Sequence, residues 1–68
     1  MKSVSGKRLA KLAEERGWSL ARINGSHHVY LMDGRIERLV IPNHGNQDLK
    51  IGLLRSLMKL IPLTEEEL

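Results

Sequence analysis

The sequence contains no cysteine, so neither disulfides nor thiolate metal sites can brace the fold. That absence fits a reducing compartment. Phenylalanine is missing as well, and Trp18 and Tyr30 are the only aromatic residues apart from three histidines. A row of stacking platforms for single-stranded nucleic acid is therefore not expected. No apolar run approaches the ~20 residues that span a bilayer. The N-terminus has no apolar signal core either. A cytoplasmic location without membrane association is the expectation.

What remains is a short, aliphatic, mildly basic chain. Sixty-eight residues make one domain, spanning 1–68, and the 41% hydrophobic fraction is mainly Leu, Ile, Val and Ala. That composition suits a compact globule, although a chain of this size buries only about 60% of its extended surface. Eleven Lys and Arg face eight acids, for a net +3; with Glu65, Glu66 and Glu67 set aside, eleven face five, or +6. A basic body with an acidic tip points toward polyanion binding. Ordinary solubilising charge explains the same numbers equally well.

The pattern along the chain predicts a helix over Lys2–Arg16, with Ser5 as N-cap and Ser3 as the alternative. Leu9, Leu12, Ala13 and Arg16 recur at the spacing of one helical face, and Gly17 closes it. Trp18–Ile23 alternates large with small, as a first strand should. Asn24-Gly25 and Asp33-Gly34 read as hairpin turns, because such pairs tolerate positive φ. Between them His28–Met32 forms a second strand, and Arg35–Ile41, closed by Pro42, a third. After a polar loop over Asn43–Gln47, Asp48 is the expected cap of a helix over Leu49–Leu60. Its stripe is Leu49, Leu53, Leu57 and Leu60, widened by Ile51, Leu54, Met58 and Ile61, and Pro62 stops it. Thr64–Glu67 has the form of a capping box. The glutamates of this tail are expected to face water. The fold class is α+β, in two layers: a three-stranded antiparallel meander with two helices on one face, in the order α-β-β-β-α.

The stretch with the most chemistry is Gly25-Ser26-His27-His28. His27 follows a tight turn at the start of a strand, where an imidazole stays accessible and can exchange protons near neutrality. Strand alternation puts His27, Val29 and Leu31 on one face and His28, Tyr30 and Met32 on the other, so the two histidines do not act as a pair. His44 precedes the second helix, whose N-terminal N–H groups, with Lys50, favour phosphate. The plain reading of both histidines is a surface imidazole in a turn or loop. Three histidines on different elements, without matching Cys or carboxylate spacing, give no metal signature, and no cofactor motif is present. Arg22 and Arg35 bracket the meander around His27.

The chain resembles the HicA-type toxins of bacterial toxin–antitoxin pairs. The matching pieces are Ser5-Gly6-Lys7 before a Leu-rich helix, Gly17-Trp18, Arg22, Gly25-Ser26-His27-His28 and Gly34-Arg35. They continue with Val40-Ile41-Pro42, His44-Gly45-Asn46, Asp48-Leu49-Lys50 and Gly52-Leu53-Leu54-Arg55-Ser56-Leu57. Each piece is weak alone; the ordered set is specific. The resemblance implies a fold like a double-stranded-RNA-binding domain and an mRNA interferase activity. It assigns the essential histidine to Gly-Ser-His, here His27, and implies a HicB-type antitoxin that covers the active site. Around His27, the residues expected to hold mRNA are Arg22, Gly25, Ser26, His44 and Lys50. Leu54 departs from the family pattern, where threonine is common, and touches helix packing or partner contact rather than catalysis.

The expected mechanism is metal-free acid/base cleavage of RNA through His27, with His44 as a candidate second proton-transfer group. Two other classes share these features. A non-catalytic RNA-binding module would keep its affinity after replacement of His27. A protein that binds only another protein, through its apolar second helix and acidic tail, would ignore RNA altogether.

Overall fold

The computed structural model describes residues 3–45 and 47–68. Lys2, the expected start of the first helix, and the loop residue Asn46 lie outside the described residues.

The first helix, α1, spans Gly6–Glu15, and Ser5 caps it by accepting a hydrogen bond from the Arg8 N–H at 3.1 Å. Leu9, Leu12 and Ala13 are buried, as their spacing predicts, together with Gly6 and Ala10. Arg16 is not part of that face; it is exposed at the helix end and pairs with Glu67.

Three strands follow in the order β1-β2-β3: β1 over Ser19–Asn24, β2 over His27–Leu31 and β3 over Leu39–Pro42. All pairings are antiparallel. The first turn consists of Gly25 and Ser26, not Asn24 and Gly25. Asn24 already pairs with His27, and among the described residues only glycines take positive φ, 63° at Gly25. A glycine first in a two-residue loop is the type II′ pattern. β2 accordingly begins at His27, one residue earlier than expected.

The simple alternation expected for the first strand does not hold. A bulge lies between Leu20 and Arg22, so Leu20 pairs with Tyr30 while Arg22 pairs with Val29. The extra residue, Ala21, shifts the phase of the strand. Leu20 and Ile23 face the helix side of the sheet, and Arg22 and Asn24 face the other side.

The third strand is shorter than expected. Asp33 and Gly34 form a turn, closed by Arg35 N–H to the Met32 carbonyl at 3.1 Å, but pairing resumes only at Leu39. Residues 35–38 stay outside the ladder, and Arg35 takes its partners elsewhere. Its guanidinium lies over the Trp18 ring and donates to the Leu60 carbonyl at 3.0 Å.

The second helix, α2, spans Ile51–Leu60. Asp48 does not cap it; Lys50 occupies the cap position without a side-chain bond, and Asp48 instead forms a single backbone bridge with Ser5. The helix turns Leu54, Leu57 and Met58 inward, with Ile61 just beyond, and leaves Ile51 and Leu53 exposed. Leu54 is fully buried in the core. After Pro62, Glu65–Glu67 make one 3-10 turn with a complete Thr64–Glu67 capping box. The acidic tail is thus partly tied down: Glu65 and Glu66 face water, whereas Glu67 meets Arg16.

The core lies between the helices and one face of the sheet. Trp18, Leu9, Leu39, Ile41, Leu54 and Ile61 are its largest fully buried side chains. Tyr30, Leu39 and Ile41 supply the covered sheet face, while Val40 and Leu31 on the opposite face remain exposed. No helix among the described residues is long and apolar enough to cross a membrane.

Candidate functional site

The uncovered sheet face is built by register. Residues directly opposite one another in a ladder share a face, with Cβ atoms about 5 Å apart. Asn24, His27 and Pro42 form one such row across the three strands, and Arg22, Val29 and Val40 form another. By strand rise the two rows are about 7 Å apart. Ser19 and Leu31 complete the face. These eight positions include two potential cations and no acid. An anion therefore meets no opposing charge there.

His27 is exposed at the first position of β2. Its backbone is fixed on both sides, by Asn24 and by Pro42. The turn before it is anchored too, because the Ser26 carbonyl accepts from the Asn43 N–H at 2.7 Å. Gly25 serves conformation rather than space: an added Cβ would meet nothing within 4 Å. The imidazole is thus carried on a rigid hairpin base with its ring free to meet a ligand.

His44 and Lys50 come together in a separate depression of about 250 Å³, lined also by Pro42, Gln47, Asp48 and Leu53. Pro42 joins this depression to the His27 row. The Leu54 N–H already bonds the Lys50 carbonyl, at 2.9 Å. The N–H groups of Ile51, Gly52 and Leu53 precede it and have no carbonyl within the helix to bond. Such groups favour an anion. Asp48 at the rim opposes one.

Of the six residues predicted for the site, His27 and Arg22 share the open face, with Gly25 and Ser26 forming the turn beside it. His44 and Lys50 form their own corner around Pro42. Asn24 was missed, having been read as a turn residue; the two-residue loop length is what places it beside His27. His28 lies on the helix side, as alternation predicts. Among the described residues no group of three or more His, Asp or Glu side chains is placed to hold a metal ion.

A family model described as HicA toxin of bacterial toxin-antitoxin matches residues 6–63. The chain belongs to the HicA toxin family. The match runs from the first residue of α1 to Leu63, past the end of α2, and so includes every site residue named above. This HicA-family chain is accordingly a toxin of a bacterial toxin–antitoxin system, with an antitoxin as its partner in that system. No curated protein matches the sequence.

Proposed function

We propose that the chain is an mRNA interferase that cleaves RNA by acid/base chemistry at His27. The observation that supports this most is the exposed imidazole on an acid-free sheet face, on a chain of the HicA family. Cleavage of an RNA phosphodiester needs a base to take the 2′-hydroxyl proton. It also needs a donor for the departing 5′-oxygen and positive charge on the phosphate. His27 is the proton-transfer group, in one or the other role. Arg22, one row along, neutralises the phosphate, and the Asn24 amide beside His27 is placed to bond an oxygen of it.

A single positioned proton-transfer group gives roughly 10²–10⁴-fold acceleration. The enzyme is therefore slow, which suffices for a toxin that needs only to damage messages. His44 and Lys50, with the α2 N-terminus, extend the phosphate track past Pro42. Control falls to a HicB-type antitoxin seated on the open face, where Leu31 and Val40 are 43% and 41% exposed beside the histidine.

The test is cleavage of a labelled RNA by purified parent chain and by His27→Gln. Loss of cut product at least 100-fold, with the same circular dichroism and melting temperature, supports the assignment. Equal cleavage by the variant refutes it.

A further inference from the structure

The helix-covered side of the sheet is not fully covered. α1 and α2 pack over β3, and β1 overhangs, leaving Ile23 and Leu20 57% and 44% exposed on that side. Between α1 and β2 lies a cleft of about 400 Å³. Lys7 and Lys11 project from successive turns of α1 along one wall, and His28 and Tyr30 come from β2. Asn43 closes one end and Glu14 lies toward the other.

The cleft has a polarity. Its Lys7 end abuts Pro42 and Asn43, since a Cβ on Gly6 would lie 3.3 Å from the Asn43 Cα. At its other end Glu14 is near enough to Tyr30 to help hold the phenol above its usual pKa, after burial as the larger cause. Lys7 and Lys11 make no ion pair among the described residues. Tyr30 is 3% exposed as a residue and lines the cleft. Two lysines, a histidine, a tyrosine and an asparagine line one concavity, the mixture of side chains found in ligand sites.

We propose that this cleft is a second RNA-contacting site, in which Lys7, Lys11 and His28 hold a backbone phosphate of the strand bound at His27. The inference rests on the reading of the chain as an RNA-cleaving enzyme and extends it to the opposite face of the sheet. His27 and His28 are consecutive at the base of the same hairpin. A strand passing round the Gly25-Ser26 turn meets the open face first and the cleft next. The turn is tied to Asn43, a residue of the cleft, by the Ser26–Asn43 hydrogen bond. A polyanion made only of carboxylates suits the cleft less well, because Glu14 repels it at one end. RNA offers hydroxyl and amino donors there instead.

The test uses a 2′-O-methyl oligonucleotide, which cannot be cut through its 2′-hydroxyl, titrated into the intact chain over a range of salt. Lys7→Gln with Lys11→Gln is expected to weaken binding roughly 10-fold, the size of a charge-assisted hydrogen bond. The slope of log K against log salt should fall by about 0.7 for each phosphate released. Glu14→Gln should tighten binding, which a misfolded variant would not do. Unchanged affinity and slope in the lysine variant overturn the proposal. So does a lysine variant that loses oligoglutamate while holding the oligonucleotide as before, since the cleft would then belong to an acidic polypeptide. Cleavage of ordinary RNA by the same proteins separates the two readings. If His27→Gln abolishes cutting while the cleft variants bind and cut as the parent does, only the cleft proposal fails. If the parent does not cut yet loses oligonucleotide affinity with its lysines, only the nuclease reading fails.

Discussion

The Arg35 guanidinium lies 5.2 Å from the centroid of the Trp18 ring. The same arginine donates to the Leu60 carbonyl at 3.0 Å, and the Trp18 indole N–H donates to the Ile61 carbonyl at 3.2 Å. Together they fasten the segment after β2 and the residue before β1 to the C-terminal end of α2, where a cation is favoured by the helix dipole. Arg35→Met should cost about 2 kcal/mol, combining a charged hydrogen bond with a part-exposed cation–π contact. Arg35→Lys should recover only part of it, lacking the planar fork. Urea unfolding at constant slope measures both.

Two glycines should respond oppositely to alanine. A Cβ on Gly6 would lie 1.8 Å from the Pro42 carbonyl oxygen, so Gly6→Ala forces α1 away from β3. Overpacking of this kind costs about 1–3 kcal/mol. Because Pro42 stands opposite His27, cutting should weaken as well. Gly52, by contrast, has open space and sits inside α2. Gly52→Ala should stabilise the chain by up to about 1 kcal/mol. Melting temperatures of the two variants, moving in opposite directions, check this.

Gly25 lies at φ 63° with empty space around its Cα. Gly25→Ala therefore pays only for backbone conformation, about 1–2 kcal/mol, with the base of the hairpin disturbed beside His27. A D-alanine placed there by chemical synthesis fits the same φ and should restore both stability and cutting. Equal damage from the two enantiomers would show that the position matters for space instead.

Tyr30 is the only tyrosine, so its ionisation can be followed without interference. Its pKa is raised, first by burial and then by Glu14. A raised folded-state pKa means that the unfolded chain loses the proton first. The stability linked to Tyr30 is therefore intact below the ordinary phenol value of about 10 and lost as pH rises through the folded value. Glu14→Gln should lower the Tyr30 pKa in a spectrophotometric titration, leaving the burial contribution. Glu37 behaves in the opposite sense. Its pKa is lowered chiefly by the Arg35 hydrogen bond at 3.3 Å, so that contribution is present above the usual carboxylate range and lost on acidification through the folded value.

The parts of this molecule written in local pattern were legible in the sequence. The Ser5 cap, the apolar face of α1, the opposite facing of His27 and His28 and the Thr64–Glu67 box all depend on neighbours within a few residues. The failures have tertiary causes. The Ala21 bulge is set by pairing across to β2, and it decides that Leu20 shares a face with Ile23 while Ser19 joins the face of His27. Arg35–Arg38 read as strand because nothing nearby reveals that Trp18 and Leu60 capture Arg35. Asp48 resembled a cap until its backbone bridged Ser5. The cleft at His28 joins residues of α1 and β2 with Asn43, which no single segment encodes.

The most direct test of the central claim is made in bacterial cells without an antitoxin for this chain. Parent and His27→Ala are induced to equal soluble levels, and new 5′ ends are mapped across cellular messages. The account predicts growth arrest and new ends with the parent alone. Arrest by both proteins without new ends would contradict it, because the chain would then act by binding and His27 would not be catalytic.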